Sequence, residues 1–183
     1  MESHNQEFGE FIAYAVHSMV TAKRNLCEAE GGPADGCPIL VWVVRKDDET
    51  MDVEIIGCEQ PTDDLPAPDL LYQALNYAFV ECGAPVFGAF VSEAYMRQAE
   101  SEDEMKDFRR GELEREFHAK ADTDVVECMT ALCFSSDGTK RHTVIAYKYD
   151  DNGMPQFGEP ENSGLSGGAM VDVLDNFLGL LNV

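Results

Sequence analysis

Apolar residues at three- and four-residue steps open the chain. Phe8, Phe11, Ile12, Ala15, Val16, Met19, Val20, Leu26 and Cys27 make one face of a helix predicted from about Gln6 to Glu28. Gly31-Gly32-Pro33 ends it, since glycine accepts the left-handed turn and proline cannot continue the helix. Pro38 to Arg45 (PILVWVVR) is a continuous β-branched and apolar run, the pattern of a buried strand, and holds the only tryptophan, Trp42. Lys46 to Thr50 reads as a turn, and Met51 to Cys58 as the returning strand. There Asp52 and Glu54 alternate with Val53 and Ile55, so one face of the hairpin is expected to be wet.

A proline-rich acidic loop follows, from Pro61 to Pro68. Leu70, Leu71, Ala74, Leu75, Ala78, Phe79 and Cys82 then mark a second amphipathic helix, closed by Gly83-Ala84-Pro85, with Asp69 in its first turn. Val86 to Tyr95 is a third strand. From Gln98 to Ala121 charges of both signs, with a capping box at Ser101 and Glu104, predict an exposed helix broken at Gly111. Val125 to Ser135 and Thr139 to Tyr149 are strands joined by Ser136-Asp137-Gly138, a hairpin signal. Asp150-Asp151-Asn152-Gly153 is a further turn. Met170, Val171, Val173, Leu174, Phe177, Leu178 and Leu181 describe a terminal helix. The order α-β-β-α-β-(α)-β-β-α predicts an α+β fold, a single layer of mainly antiparallel five-stranded sheet covered by helices. No repeat or linker divides the chain, so residues 1–183 read as one domain with a charged, exposed segment at about 97–122.

Charge changes this picture more than composition does. Apolar residues make up 44% of the chain, enough for a core, while the net charge is −22 and the pI about 4.2. Half of that charge falls in one stretch. Residues 47–96 contain eleven acids and no Lys, Arg or His, yet include predicted strands and a helix. Nucleic acid and anionic membranes carry the same sign and are excluded as direct partners. A basic protein or a cation is permitted, and so is a charge that serves solubility alone. No run of about 18 apolar residues predicts a transmembrane helix. The first residues lack the basic and apolar segments of a secretory signal, which points to the cytoplasm. The six cysteines have no paired spacing and are expected to be buried free thiols.

Chemical motifs add little. Gly164-Leu165-Ser166-Gly167-Gly168 matches the G-x-S-x-G nucleophile elbow, but the mechanism needs a strand before the serine and a histidine after it. Glu159 to Ser163 does not read as a strand, and His4, His17, His118 and His142 all lie upstream. The stretch is read as a loop with Ser166 as helix N-cap; it also lacks a nearby cation for phosphate. No zinc spacing is present, and the Asp47-Asp48-Glu49 and Asp150-Asp151-Asn152 turns lack the calcium-loop pattern, so neither metal nor cofactor is expected. Glu93 and Glu127 sit inside otherwise apolar strands. If they faced one cavity, with His142 as third member, they would supply acid–base chemistry or hold a cation. The plainer alternative is that they face outward or pair with Arg97 or Arg141.

The run Phe90-Val91-Ser92-Glu93-Ala94-Tyr95-Met96, a charged insertion, and a strand ending in Ser136-Asp137-Gly138 resemble small uncharacterised proteins of bacteriophage and bacterial genomes. Those usually carry Trp where this chain has Tyr95. The resemblance spans about residues 86–140; it implies a phage or mobile-element origin and no activity. The sequence thus favours a non-enzymatic, acidic interaction protein over an enzyme or ligand-binding domain built on Glu93, Glu127 and His142. Its expected partner is a basic protein surface, such as that of a nucleic-acid-binding protein, with Asp47, Asp48, Glu49, Asp63, Asp64 and Asp69 facing it.

Overall fold

The computed structural model describes residues 2–47, 49–97, 125–163 and 169–181. Helix α1 (Glu2–Glu30) is followed by strands β1 (Ile39–Arg45) and β2 (Met51–Gly57), then helix α2 (Ala67–Cys82). Next come β3 (Phe87–Arg97), β4 (Val125–Ser135), β5 (Lys140–Tyr149), two short strands β6 (Pro155–Phe157) and β7 (Glu161–Ser163), and helix α3 (Ala169–Leu181). The strands form one antiparallel sheet in the order β2-β1-β3-β4-β5-β6, with β7 also pairing with β5. The fold is the expected α+β arrangement with seven strands instead of five. The charged segment with its capping box, Asp48, and the glycine-rich 164–168 stretch containing Ser166 lie outside the described residues.

Period-two alternation divides the sheet into two cores. Val41, Val43, Phe87, Ala89, Val91, Met129, Ala131 and Ile145 face α1, which sends in Phe8, Phe11, Ala15 and Met19. Leu40, Trp42, Phe90, Leu132 and Phe134 point the other way, against Leu71, Leu75 and Ala78 of α2 and Leu174, Phe177 and Leu178 of α3. The central strands are covered on both faces, which is why β1 reads as an uninterrupted apolar run. α1 stops at Gly31, whose φ of 73° lets the Gly32 N–H return to the Cys27 carbonyl at 3.0 Å.

One glycine builds the second core. Trp42, Gly88 and Phe134 lie side by side across β1, β3 and β4. The Phe134 ring occupies the space above Gly88, where a Cβ would come within 2.2 Å of it. That lets Phe134 meet Trp42 edge-on at 6.1 Å, while the Trp42 Nε1–H donates to the Gly83 carbonyl at 3.1 Å.

Candidate interaction surface

Of the three proposed polar residues, the structure keeps two on one face and sends the third to the other. Glu93 and Glu127 share parity with Val91 and Met129 and lie on the α1 side. His142 is paired with Leu132, whose side chain belongs to the α2–α3 core, so it lies on the opposite face. The three do not form one pocket. Burial depresses the His142 pKa, which fits a ring at the margin of an apolar layer.

Glu93 is committed elsewhere. Its carboxylate accepts hydrogen bonds from Lys23 Nζ at 2.7 Å, the Gly36 N–H at 2.6 Å and the Tyr147 hydroxyl at 3.1 Å. The Lys23 side chain is 0% exposed; it also donates to the Ala34 carbonyl and sits over the rings of Tyr147 and Tyr149 at 5.0 and 5.6 Å. Burial opposes the ammonium, yet its hydrogen bonds to Glu93 and Tyr149 hold its pKa above the ordinary value. Burial first, then the Glu93 charge, pushes the Tyr147 pKa upward. This cluster ties α1, β3, β5 and the 34–36 loop together. The partner of Glu93 is Lys23, a residue the sequence reading did not name. The signal was present: Lys23 interrupts the stripe Phe11, Ala15, Met19, Cys27, where a buried side chain was due.

The acidic residues collect along the β2 edge. Asp47 and Glu49 are exposed in the turn at one end of β2; Asp63, Asp64 and Asp69 are exposed in the loop and first turn of α2 at the other. A seven-residue strand separates the two groups by roughly 24 Å. Between them runs a groove of about 720 Å³ where β2 meets α2. Glu54, Glu59 and Glu81 line it beside Ile56, Leu70 and Tyr77, and no described lining residue is basic. Burial first, then the charges of Glu54, Glu81 and Asp52, pushes the pKa of the Cys82 thiol upward. Glu49 pairs with Arg45 at 3.0 Å and Asp52 with Lys46 at 2.8 Å. Asp47, Glu54, Glu59, Asp63, Asp64, Asp69 and Glu81 have no ion pair among the described residues. Sequence reasoning named the two ends of this surface and missed its middle.

Two further expectations need correction. The hairpin does not have one wet face: Val53 is 43% and Ile55 62% exposed, because α1 covers the sheet centre and does not reach β2. All six thiols are free, but only Cys27, Cys128 and Cys133 are buried, while Cys37 is exposed. A short strand, β7, does precede the 164–168 stretch, where the sequence pattern predicts a loop.

Fold and surface together define an α+β protein with one antiparallel sheet between helical layers and an acidic, partly apolar edge. No family model matches the chain, and neither a curated protein nor a solved structure does. No described helix is long and apolar enough to cross a membrane.

Proposed function

We propose that this is a non-enzymatic, cytoplasmic interaction protein whose acidic edge engages a basic protein surface, as an inhibitor or nucleic-acid mimic of phage origin would. The observation that carries the reading is the carboxylate line along β2 and α2, with a groove lined by three acids and no described base. Seven carboxylates without a described ion partner spread over roughly 25–30 Å, one per ~4 Å. Duplex DNA presents one charge per ~1.7 Å and a single strand one per ~3.4 Å, so the surface has nearly the density of one strand. The enzyme reading loses its proposed constellation, since His142 lies across the sheet and Glu93 is occupied by Lys23.

The test compares the chain with a variant carrying Asn or Gln at Asp47, Glu49, Asp63, Asp64 and Asp69. Each is used to capture protein from lysate at low salt and near 1 M salt, where the screening length falls from about 10 to 3 Å. A basic partner held by the wild type at low salt, and lost at high salt and on the variant, is the expected result. Equal capture under all conditions would refute the electrostatic mechanism. If the variant precipitates and nothing has been bound, the charge serves solubility.

A further inference from the structure

We propose that the outer edge of β2 accepts an extended segment of the partner as an added antiparallel strand, with apolar and basic residues alternating along it. This rests on the reading above that the partner is basic, and adds how and where it docks.

The backbone register shows which groups are available. The bonds from Lys46 N–H to Thr50 C=O and from Cys58 N–H to Pro38 C=O mark 46/50 and 38/58 as hydrogen-bonded pairs. Antiparallel pairs alternate, so even-numbered residues of β2 bond to β1. Met51, Val53, Ile55 and Gly57 therefore direct their N–H and C=O groups outward, where β2 has no strand neighbour among the described residues. An edge like this is a template for another chain.

The side chains specify the chain it suits. Met51, Val53 and Ile55 project on the α1 side and are 40, 43 and 62% exposed. Asp52 and Glu54 project on the other side, where Glu54 lines the groove together with Glu59 and Glu81. A strand added here places one set of side chains beside an apolar stripe and the other over carboxylates. Charge argues against a second copy as occupant. A two-fold axis at residue 52, 53 or 54 would set Asp52 against itself, Asp52 against Glu54, or Glu54 against itself, and like charges directly opposite are destabilising.

The probe is a blocked seven-residue peptide of alternating lysine and valine, titrated into the full chain and followed by backbone amide NMR. We expect exchange protection at Met51, Val53 and Ile55, salt-sensitive affinity, and no binding of the same peptide with glutamate for lysine. Val53→Pro removes an outward N–H without breaking a bond to β1 and should weaken binding at least about tenfold. Because antiparallel partners of Met51, Val53 and Ile55 are both apolar and hydrogen-bonded, N-methylating the peptide's valines should abolish binding and N-methylating its lysines should not. That arm leaves the protein untouched if Val53→Pro disturbs folding. Salt-sensitive binding that ignores both Val53→Pro and N-methylation, with no amide protected, overturns strand addition and leaves the acidic-face reading intact. Failure of the lysine peptide to bind, or equal binding of the glutamate peptide, overturns both. Self-association of the free chain that Val53→Pro abolishes would show the edge is taken by a second copy, and also overturns the proposal.

Discussion

Removing the Glu93 charge should destabilise the protein far more than its partial exposure suggests. Glu93→Gln keeps the shape and an acceptor for the Gly36 N–H, but leaves the Lys23 ammonium, 0% exposed, with the Ala34 carbonyl, the Tyr149 side chain, two ring faces and, as its remaining carboxylate, Asp35 at 3.8 Å, itself 76% exposed and so screened by solvent. A buried charge stripped of its partner costs about 3–5 kcal/mol, a large share of the roughly 5–15 kcal/mol that holds a domain folded. Lys23→Met should cost less, about 1–3 kcal/mol, because Glu93 retains the Gly36 and Tyr147 donors and is 16% exposed. The double variant Lys23→Met/Glu93→Gln should recover most of the loss, since replacing both ions leaves no unpaired charge. Urea unfolding of the four proteins at neutral pH gives the coupling energy, expected to be about 2 kcal/mol or more with unchanged denaturant slope. Losses that add to within about 0.5 kcal/mol would refute the reasoning. The alkaline limb gives a second readout. Lys23 and Tyr147 both have folded pKa values above their ordinary 10.5 and 10.0. Each therefore binds its proton more tightly when folded; their contribution is complete below about pH 10 and is lost as pH rises through the folded values. The double variant should show a shallower loss above pH 10.

Gly88→Ala drives a methyl into the Phe134 ring and should cost about 1–3 kcal/mol, visible as a lower midpoint in thermal unfolding; adding Phe134→Leu should return part of it. Thiol-reactive dye at pH 8 should label Cys37 at once, but Cys27, Cys128 and Cys133 only in denaturant. Burial raises Cys128 to about 11 and Cys133 to about 12 from an ordinary 9.0, so stability should also begin to fall above pH 9, and Cys133→Ala should blunt that fall.

The sequence made five strands legible because each is a long apolar or β-branched run bounded by turn residues. β6 and β7 escaped because three residues, Pro155-Gln156-Phe157 or Glu161-Asn162-Ser163, carry no period, and their pairing is decided by the outer edge of β5. β2 misled for a different reason. Alternation says that a strand has two unlike faces; it does not say which face the helices cover, and a single helix over a wide sheet leaves an edge strand bare. Glu93 and Lys23 were each visible as a charge where an apolar residue was due. Joining them needed the sheet order, which brings β3 and β5 beneath α1 across 70 residues of chain. His142 failed on parity: the β4–β5 register pairs it with Leu132 and so fixes its face.

The β2 edge also resolves an apparent conflict between its apolar and acidic residues. An exposed stripe of Met51, Val53 and Ile55 beside backbone groups that no described strand pairs would ordinarily invite self-association. Asp52 and Glu54 oppose that, because the self-paired registers centred on residues 52–54 bring carboxylates together. In the proposed docking the same two residues attract a strand with lysine or arginine at alternate positions. Under the proposed docking, protection against a second copy and selection of a basic partner are one property of the surface. It follows that Asp52→Lys/Glu54→Lys should do more than weaken a basic ligand. With the charges reversed in sign and the repulsion between copies kept, the variant should stay monomeric and gain affinity for the glutamate–valine peptide. With neutral Asn and Gln at the same positions, the edge should lose both choices and the chain should dimerise at high concentration in analytical ultracentrifugation. A neutral variant that stays strictly monomeric would mean that the charges are not what keeps the edge open.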